Sequence, residues 1–304
     1  MQLKAVETNS QYVRIIAGAG SGKTRVLTYR IAFLISECNV VPWSILAITF
    51  TNKVANEMRQ RVIKMLPEIN NDLTIKTFHS FAAQFLRREI GILGFPSTFS
   101  ILDEEDQTKL IKDIVANMGF KRGDKIVGRA MGYISKNKIK EKYPDDIKID
   151  KPTFEDEKTC LEIYSIYEDE KNKSFSLDFD DLLLRTNFIL DKYPEIRQKW
   201  QRRFNHILID EFQDTNDVEY RMIKLLQNSN TSLYVVGDPD QTIYTWRGAN
   251  QNIILDLVKE FLNLETIVLE RNYRSTQKIL DSANKLISNN KLRVPKNLYT
   301  RLEK

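Results

Sequence analysis

The residues best equipped for chemistry lie in Ala17-Gly18-Ala19-Gly20-Ser21-Gly22-Lys23-Thr24. Glycines there let backbone N–H groups turn toward anionic oxygens, Lys23 can reach terminal phosphates, and the Thr24 hydroxyl can ligate Mg²⁺. The spacing fits G-x-x-x-x-G-K-[ST] except that Ala17 replaces the first glycine, which Gly18 and Gly20 can absorb. A second set is the acidic pair Asp210-Glu211. One carboxylate can hold a divalent cation, often through water, while its neighbour takes a proton from an attacking water. Together the two stretches imply phosphate binding and metal-assisted hydrolysis.

The flanking elements place both sets. Val13 to Ile16 is a β-branched run that reads as a buried strand, and Arg25 to Ile35 has helical apolar spacing, so the glycine-rich loop sits between strand and helix. His206-Ile207-Leu208-Ile209 is an apolar strand that runs into the acidic pair. In a doubly wound sheet ligands bind outside the carboxyl ends of the strands, which puts these acids beside the loop. Further strands are expected at Ser44–Phe50, Leu73–Thr77, Ser232–Val236 and Thr266–Leu269. Helices are expected after Thr51-Asn52-Lys53, after Phe78-His79-Ser80 and from Thr276 to Ile287. This alternation predicts an α/β fold, a parallel sheet with helices on both faces.

From about residue 90 to 190 the pattern is helical and charged, and reads as an all-helical insertion. Eight basic residues lie between Lys121 and Lys142, with an acidic patch from Asp145 to Glu157. Such a run is either a solvated helical face or a surface toward nucleic acid. Tyr244, Trp246 and Arg247 suit base stacking and phosphate contact, and equally suit core packing.

The 304 residues suffice for about two domains. A net charge of +5 permits a polyanionic partner. No apolar run approaches a membrane span, and the N-terminus has no signal-peptide pattern, so no membrane partner and a cytoplasmic location are expected. Cys38 and Cys160 are expected to be free thiols. His79 and His206, the two histidines, exclude a histidine zinc site.

The motif series resembles the UvrD/PcrA/Rep family of superfamily-one DNA helicases. The matching stretches are A-G-A-G-S-G-K-T at 17–24, A-I-T-F-T-N-K at 47–53, T-F-H-S at 77–80 and L-D-F-D-D-L-L at 177–183. They continue with I-D-E-F-Q-D-T-N at 209–216, V-G-D-P-D-Q-T-I-Y-T-W-R-G-A at 236–249 and L-E-R-N-Y-R-S at 269–275. The resemblance implies a RecA-like P-loop NTPase with residues 1–89 and 191–268 as one ATPase domain. Residues 90–190 would be the helical insertion, and 269–304 the start of a truncated second RecA-like domain. A chain so cut is expected to bind nucleotide weakly and turn it over poorly.

Site roles follow from the same resemblance. ATP and Mg²⁺ would be held by Ala19, Gly20, Ser21, Gly22, Lys23 and Thr24 with Asp210, and Glu211 would be the catalytic base. Gln241 would sense the γ-phosphate and Arg274 would stabilise the transferring phosphoryl group. Gln2 would read the adenine edge, and Arg25 with Tyr273 would sandwich the ring. Phe50, Tyr244 and Trp246 would form pockets for single-strand bases, with Arg247, Asn52, Thr77 and His79 near the backbone; His79 also reads as a structural histidine. Phe212, Pro239 and Arg271 depart from the commonest family residues without removing a catalytic group. The implied activity is a 3′-to-5′ ATP-dependent helicase acting on single-stranded DNA and duplex junctions, with repair or replication proteins as partners. A non-catalytic nucleotide-dependent module and the helicase part of a RecB/AddA-like helicase–nuclease are the alternatives.

Overall fold

The computed structural model describes residues 1–69, 72–120, 125–147, 155–291 and 293–301, less the side chains of 155, 156 and 247. The chain divides into two compact units, residues 1–80 with 197–304, and residues 81–196. In chain order the first stretch holds α1 (Gln2–Glu7), β1 (Tyr12–Ala17), α2 (Lys23–Ser36), β2 (Ile45–Ile48), α3 (Asn52–Met65), β3 (Thr74–Lys76) and α4 (Phe78–Glu89). Next come β4 (Ser100–Ile101), α5 (Glu104–Asn117), α6 (Lys125–Lys138), α7 (Pro144–Ile147), α8 (Glu155–Lys173), β5 (Ser176–Leu177), α9 (Phe179–Lys192) and α10 (Pro194–Arg203). The last stretch holds β6 (His206–Ile209), α11 (Asp217–Leu226), β7 (Ser232–Gly237), α12 (Gln251–Glu260), β8 (Glu265–Leu269), β9 (Arg271–Asn272), α13 (Gln277–Ile287) and β10 (Tyr299–Thr300).

The first unit is built on a six-stranded sheet in the order β3-β2-β6-β7-β1-β8. Every pairing in it is parallel. Parallel strands covered by crossover helices are apolar on both faces, and β2 is buried at all of its positions. The core joins Val13, Ile15, Ile45, Ala47, Leu208, Val236 and Ile267 of the sheet to Val26, Leu27 and Ile31 of α2 and Met58 and Val62 of α3. The α/β expectation and its six strands hold, and the sheet is flanked by helices. The motif residues that could do chemistry follow carboxyl ends: the glycine loop after β1, Phe50 to Asn52 after β2, Thr77 after β3, Asp210-Glu211 after β6, Asp238 to Gln241 after β7 and Tyr273-Arg274 beyond β8. Residues 269–304 belong to this same unit.

The second unit packs α5, α6 and α8 through Ile111, Ile114, Val115, Ile126, Ala130, Ile134, Ile163, Tyr164 and Tyr167. It is not all helical, since β4 and β5 pair in parallel. Two-residue strands carry no alternation for the sequence to reveal. Helices α5 and α9 each open on a capping box, Asp103 with Asp106 and Asp178 with Asp181.

The basic run needs a correction at Lys138, which is buried rather than solvated or turned to nucleic acid. Its ammonium lies 3.0 Å from Glu168, 2.6 Å from Asp178 and 2.7 Å from Asp181. Lys171 shares all three carboxylates, at 2.8, 3.0 and 2.5 Å. These carboxylate oxygens converge within 4.8 Å, the geometry of a cation site, and the cations in it are the two ammonium groups. Lys121 and Arg122 of the same run lie outside the described residues, as does much of the acidic patch. Cys38 and Cys160 are free thiols, the first exposed and the second buried. Among the described residues no helix is long and apolar enough to cross a membrane.

Candidate active site

The glycine loop turns sharply because Gly20 and Gly22 have φ of 69° and 89°, a region that costs a side-chain-bearing residue about 1–2 kcal/mol. Gly22 is the N-cap of α2 and supplies no side chain to cap it. The first turn of the helix therefore points its N–H groups and dipole at whatever the loop encloses. Inside the loop the Ser21 hydroxyl donates to the Gly18 carbonyl at 2.6 Å, which tightens the turn. A Cβ on Gly20 would stand 2.7 Å from Asn272 Nδ2, so the glycine also admits a neighbour.

The acids meet this loop as the strand order requires. Thr24 Oγ1 donates to Asp210 Oδ2 at 2.8 Å, and Lys23 Nζ lies 2.8 Å from Glu211 Oε2 and 3.4 Å from Gln241 Oε1. Three neighbouring strands, β6, β7 and β1, thus bring Asp210-Glu211, Gln241 and Lys23-Thr24 to one place. Glu211 reaches Lys23 from a left-handed backbone, φ 50°, a conformation that stores about 1–3 kcal/mol and clusters at functional sites. Burial first, then the neighbouring Glu211 charge, pushes the Asp210 carboxyl up to about 6. Burial and the same Glu211 charge push Asp214 to about 6 as well. The Oδ1 atom of Asp214 is buried with no hydrogen-bond partner. The site holds more negative charge than Lys23 offsets, as a cation site should.

A match to the family model of the UvrD/REP helicase N-terminal domain covers residues 1–262. The chain belongs to this family. It is 44% identical over 301 residues to ATP-dependent DNA helicase PcrA of Leuconostoc citreum, covering 98% of this chain and 40% of that protein. Against the PcrA of Bacillus subtilis (strain 168) it is 44% identical over 302 residues, 99% of this chain and 40% of the relative. Against that of Staphylococcus aureus (strain Mu50 / ATCC 700699) it is 42% identical over 299 residues, 98% and 41%. The chain spans about two fifths of the length of these curated relatives.

The residues expected to hold the adenine, Gln2, Arg25 and Tyr273, lie near the loop. Gln2 Nε2 donates to the Ser21 carbonyl at 2.7 Å, and Tyr273 OH donates to Gln2 Oε1 at 3.4 Å. An open cleft of about 450 Å³ lies here, lined by Gln2, Ser21, Glu270, Arg271 and Tyr273 among others. Arg25 is exposed with its guanidinium 5.4 Å from the Tyr29 ring centre, while the Tyr273 ring carries Arg271 at 4.8 Å. Each half of the expected sandwich thus has another neighbour. Arg274 places its Cβ where a side chain on Gly20 would have to go, 2.9 Å away.

On the expected nucleic-acid face Phe50 and Tyr244 stack with ring centres 4.7 Å apart, and Trp246 is 6.3 Å from Tyr244 and 71% exposed. The Phe50 and Tyr244 rings touch each other, so a base enters between them only if they part. Asn52 Oδ1 accepts from Ser80 Oγ at 2.8 Å and from Thr77 Oγ1 at 3.4 Å, which ties the ends of β2 and β3 together. His79 is half-buried beside this pair. The Arg247 side chain lies outside the described residues.

Two positioning residues carried no role in the sequence reading. Gln213 donates to Glu211 Oε2 at 2.8 Å and accepts from the Asp238 N–H at 2.9 Å, so it links two motifs. It fits only because Gly237 is glycine, where a Cβ would stand 2.7 Å from Gln213 Oε1. A glycine closing a strand is the signal for such close approach. Asn272, buried, donates to the Ala19 carbonyl at 2.6 Å and accepts from the N–H groups of Arg274 and Ser275. This Asx turn, the usual habit of asparagine, fixes the start of the Tyr273-Arg274 segment against the loop.

Proposed function

We propose that this chain is the N-terminal, ATP-binding portion of an ATP-dependent 3′-to-5′ DNA helicase and single-stranded DNA translocase of the UvrD type. The observation that carries this reading is the meeting of Lys23, Thr24, Asp210, Glu211 and Gln241 at the ends of three adjacent strands. The named activity of the PcrA relatives supports it.

Mg²⁺ fits the donor set, since the Thr24 hydroxyl and the buried Asp210 carboxylate are hard oxygen ligands and the raised Asp210 marks a charge awaiting a cation. When bound, that ion neutralises phosphate charge. The loop N–H groups from Ala19 to Gly22 cradle phosphate oxygens, and Lys23 exchanges Glu211 for them. Glu211, released and already turned inward, then accepts the proton of the attacking water. Gln241 reports on the terminal phosphate, Arg274 faces charge on the transferring group, and Gln2, Arg25 and Tyr273 hold the adenine. Phe50, Tyr244 and Trp246 take successive bases of single-stranded DNA at a duplex junction, with Asn52, Thr77, His79 and Arg247 on the backbone. The setting is cytoplasmic, alongside repair or replication proteins.

A fluorescent ATP analogue tests the site. Saturable, Mg²⁺-dependent binding that Lys23→Ala abolishes is expected, and equal binding by both proteins would refute the phosphate-loop assignment. In the protein of full natural length, Glu211→Gln should keep ATP binding and lose about 10²-fold or more in turnover, the scale of a lost general base.

A further inference from the structure

Residues 293–301 are built into the candidate site by contacts that no motif predicts. Arg293 donates to the carbonyls of Ile287 and Lys296 at 3.0 and 3.2 Å, which folds the chain back after α13. Asn284 then clasps Leu298 from both sides, donating to its carbonyl at 2.8 Å and accepting from its N–H at 3.0 Å. The return brings Lys296 Nζ to 2.5 Å from Asp238 Oδ1 and 2.5 Å from Asp240 Oδ2, with the lysine side chain only 4% exposed. Arg293 adds a second contact to Asp240 at 3.4 Å.

The same Asp238 carboxylate accepts, at Oδ2, from the Gln241 side-chain amide. An amide has a donor end and an acceptor end. With Nε2 held by Asp238, Oε1 is the end turned to Lys23. Asp238 and Asp240 are buried close together, and like charges so placed repel, so the Lys296 ammonium between them holds the Asp238 carboxylate on Nε2.

We propose that Lys296 is a positioning residue for Gln241: it pins the Asp238 carboxylate in place, and Asp238 fixes which end of the Gln241 amide faces Lys23. This deepens the reading of Gln241 as the γ-phosphate sensor and rests on it for its consequence in catalysis. It also makes residues 293–298 a mechanical link, because any movement of α13 or β10 reaches Gln241 through Lys296.

The first test is spectroscopic and uses this chain, deuterated and labelled with ¹⁵N-glutamine, with the Gln241 amide pair assigned by its loss in Gln241→Ala. In wild type the pair should stand apart from solvated glutamine amides and exchange slowly. Lys296→Met should return it to the solvated position, and Lys296→Arg should keep it apart. Asp240→Asn, which leaves Lys296 on Asp238, should also keep it. An unmoved pair in Lys296→Met would overturn the proposal, and so would release by Asp240→Asn as complete as that by Lys296→Met, the mark of general loosening. In the protein of full natural length Lys296→Met should lower kcat for ATP about ten- to hundredfold with KM little changed, the scale of a misplaced catalytic group, with Arg restoring it. Unchanged kcat would overturn the proposal. A wild type without ATP turnover would refute the helicase reading, and the amide resonance would still decide the role of Lys296.

Discussion

The lysine cluster of the helical unit and the Lys23 site of the sheet unit both set lysines among carboxylates, and they treat the charge in opposite ways. In the helical unit Lys138 and Lys171 bridge Glu168, Asp178 and Asp181, the capping-box N–H groups of α9 bond the two aspartates, and Tyr167 OH donates to Asp178 at 2.9 Å. Burial alone would raise the Asp178 carboxyl, but the two ammonium groups outweigh it and hold it below the usual range. Burial would lower Lys138 too, and its carboxylate neighbours raise it well above an ordinary lysine. In the sheet unit a single ammonium, Lys23, faces Asp210, Glu211 and Asp214, and there burial wins at Asp210. A closed network specifies packing, whereas an open one leaves charge for a ligand to complete.

The largest expected effect comes from opening the closed network. Lys138→Met leaves three buried carboxylates with one ammonium and should cost about 3–5 kcal/mol, read as loss of the helical unit in urea unfolding. A cost below about 1 kcal/mol would mean that water already reaches the cluster and that it is not closed.

Removing a charge from the open network should have the opposite sign. Asp210 rises from an ordinary aspartate value near 3.9 to about 6, so the folded state binds the proton more tightly than the unfolded chain. The group's contribution is most favourable below the unfolded value and is lost as pH climbs from about 4 through 6. Asp210→Asn should therefore stabilise the ligand-free protein at pH 7.5 by about 2–3 kcal/mol, fading toward pH 4, while Mg²⁺ with nucleotide no longer raises Tm. Thermal melts at several pH values check both arms. Destabilisation at pH 7.5 would show that the hydrogen bond from Thr24 outweighs the burial of charge.

The difference between the networks also explains what could be read in advance. The strands of the sheet announce themselves as apolar runs that stop at glycine or acid, and the acids and Lys23 then follow from strand order alone. Lys138 does not, because its partners Asp178 and Asp181 are 40 and 43 positions away and the local signal is a basic run. The strand pair β4 and β5 is too short for periodicity. Gln213 and Asn272 sit inside motifs that the resemblance marked, but their work is to bond backbone and side chains that only the fold brings near. Lys296 lies in the stretch 269–304 that the resemblance assigns to the start of a second domain, and its partners Asp238 and Asp240 are more than fifty positions away.

The smallest effect asks whether the open site sets its own shape. Gly18 is not among the positive-φ glycines, so only space opposes a side chain there, and a Cβ would stand 2.5 Å from Leu298 Cδ2. The leucine can yield, so Gly18→Ala should cost about 1 kcal/mol, at the low end of overpacking. The loss should be local. Hydrogen exchange should quicken at the amides of Leu298 and Tyr299, which bond Asn284 and Glu270, and stay unchanged in β1 and β7. Leu298→Ala made together with Gly18→Ala should cost less than the two single changes added, since the smaller side chain clears the new methyl. Additive costs would mean that the two residues do not press on each other in solution, and the phosphate loop would then be as self-determined as the lysine cluster of the helical unit. Coupling would mean that the loop takes part of its shape from the segment that also carries Lys296.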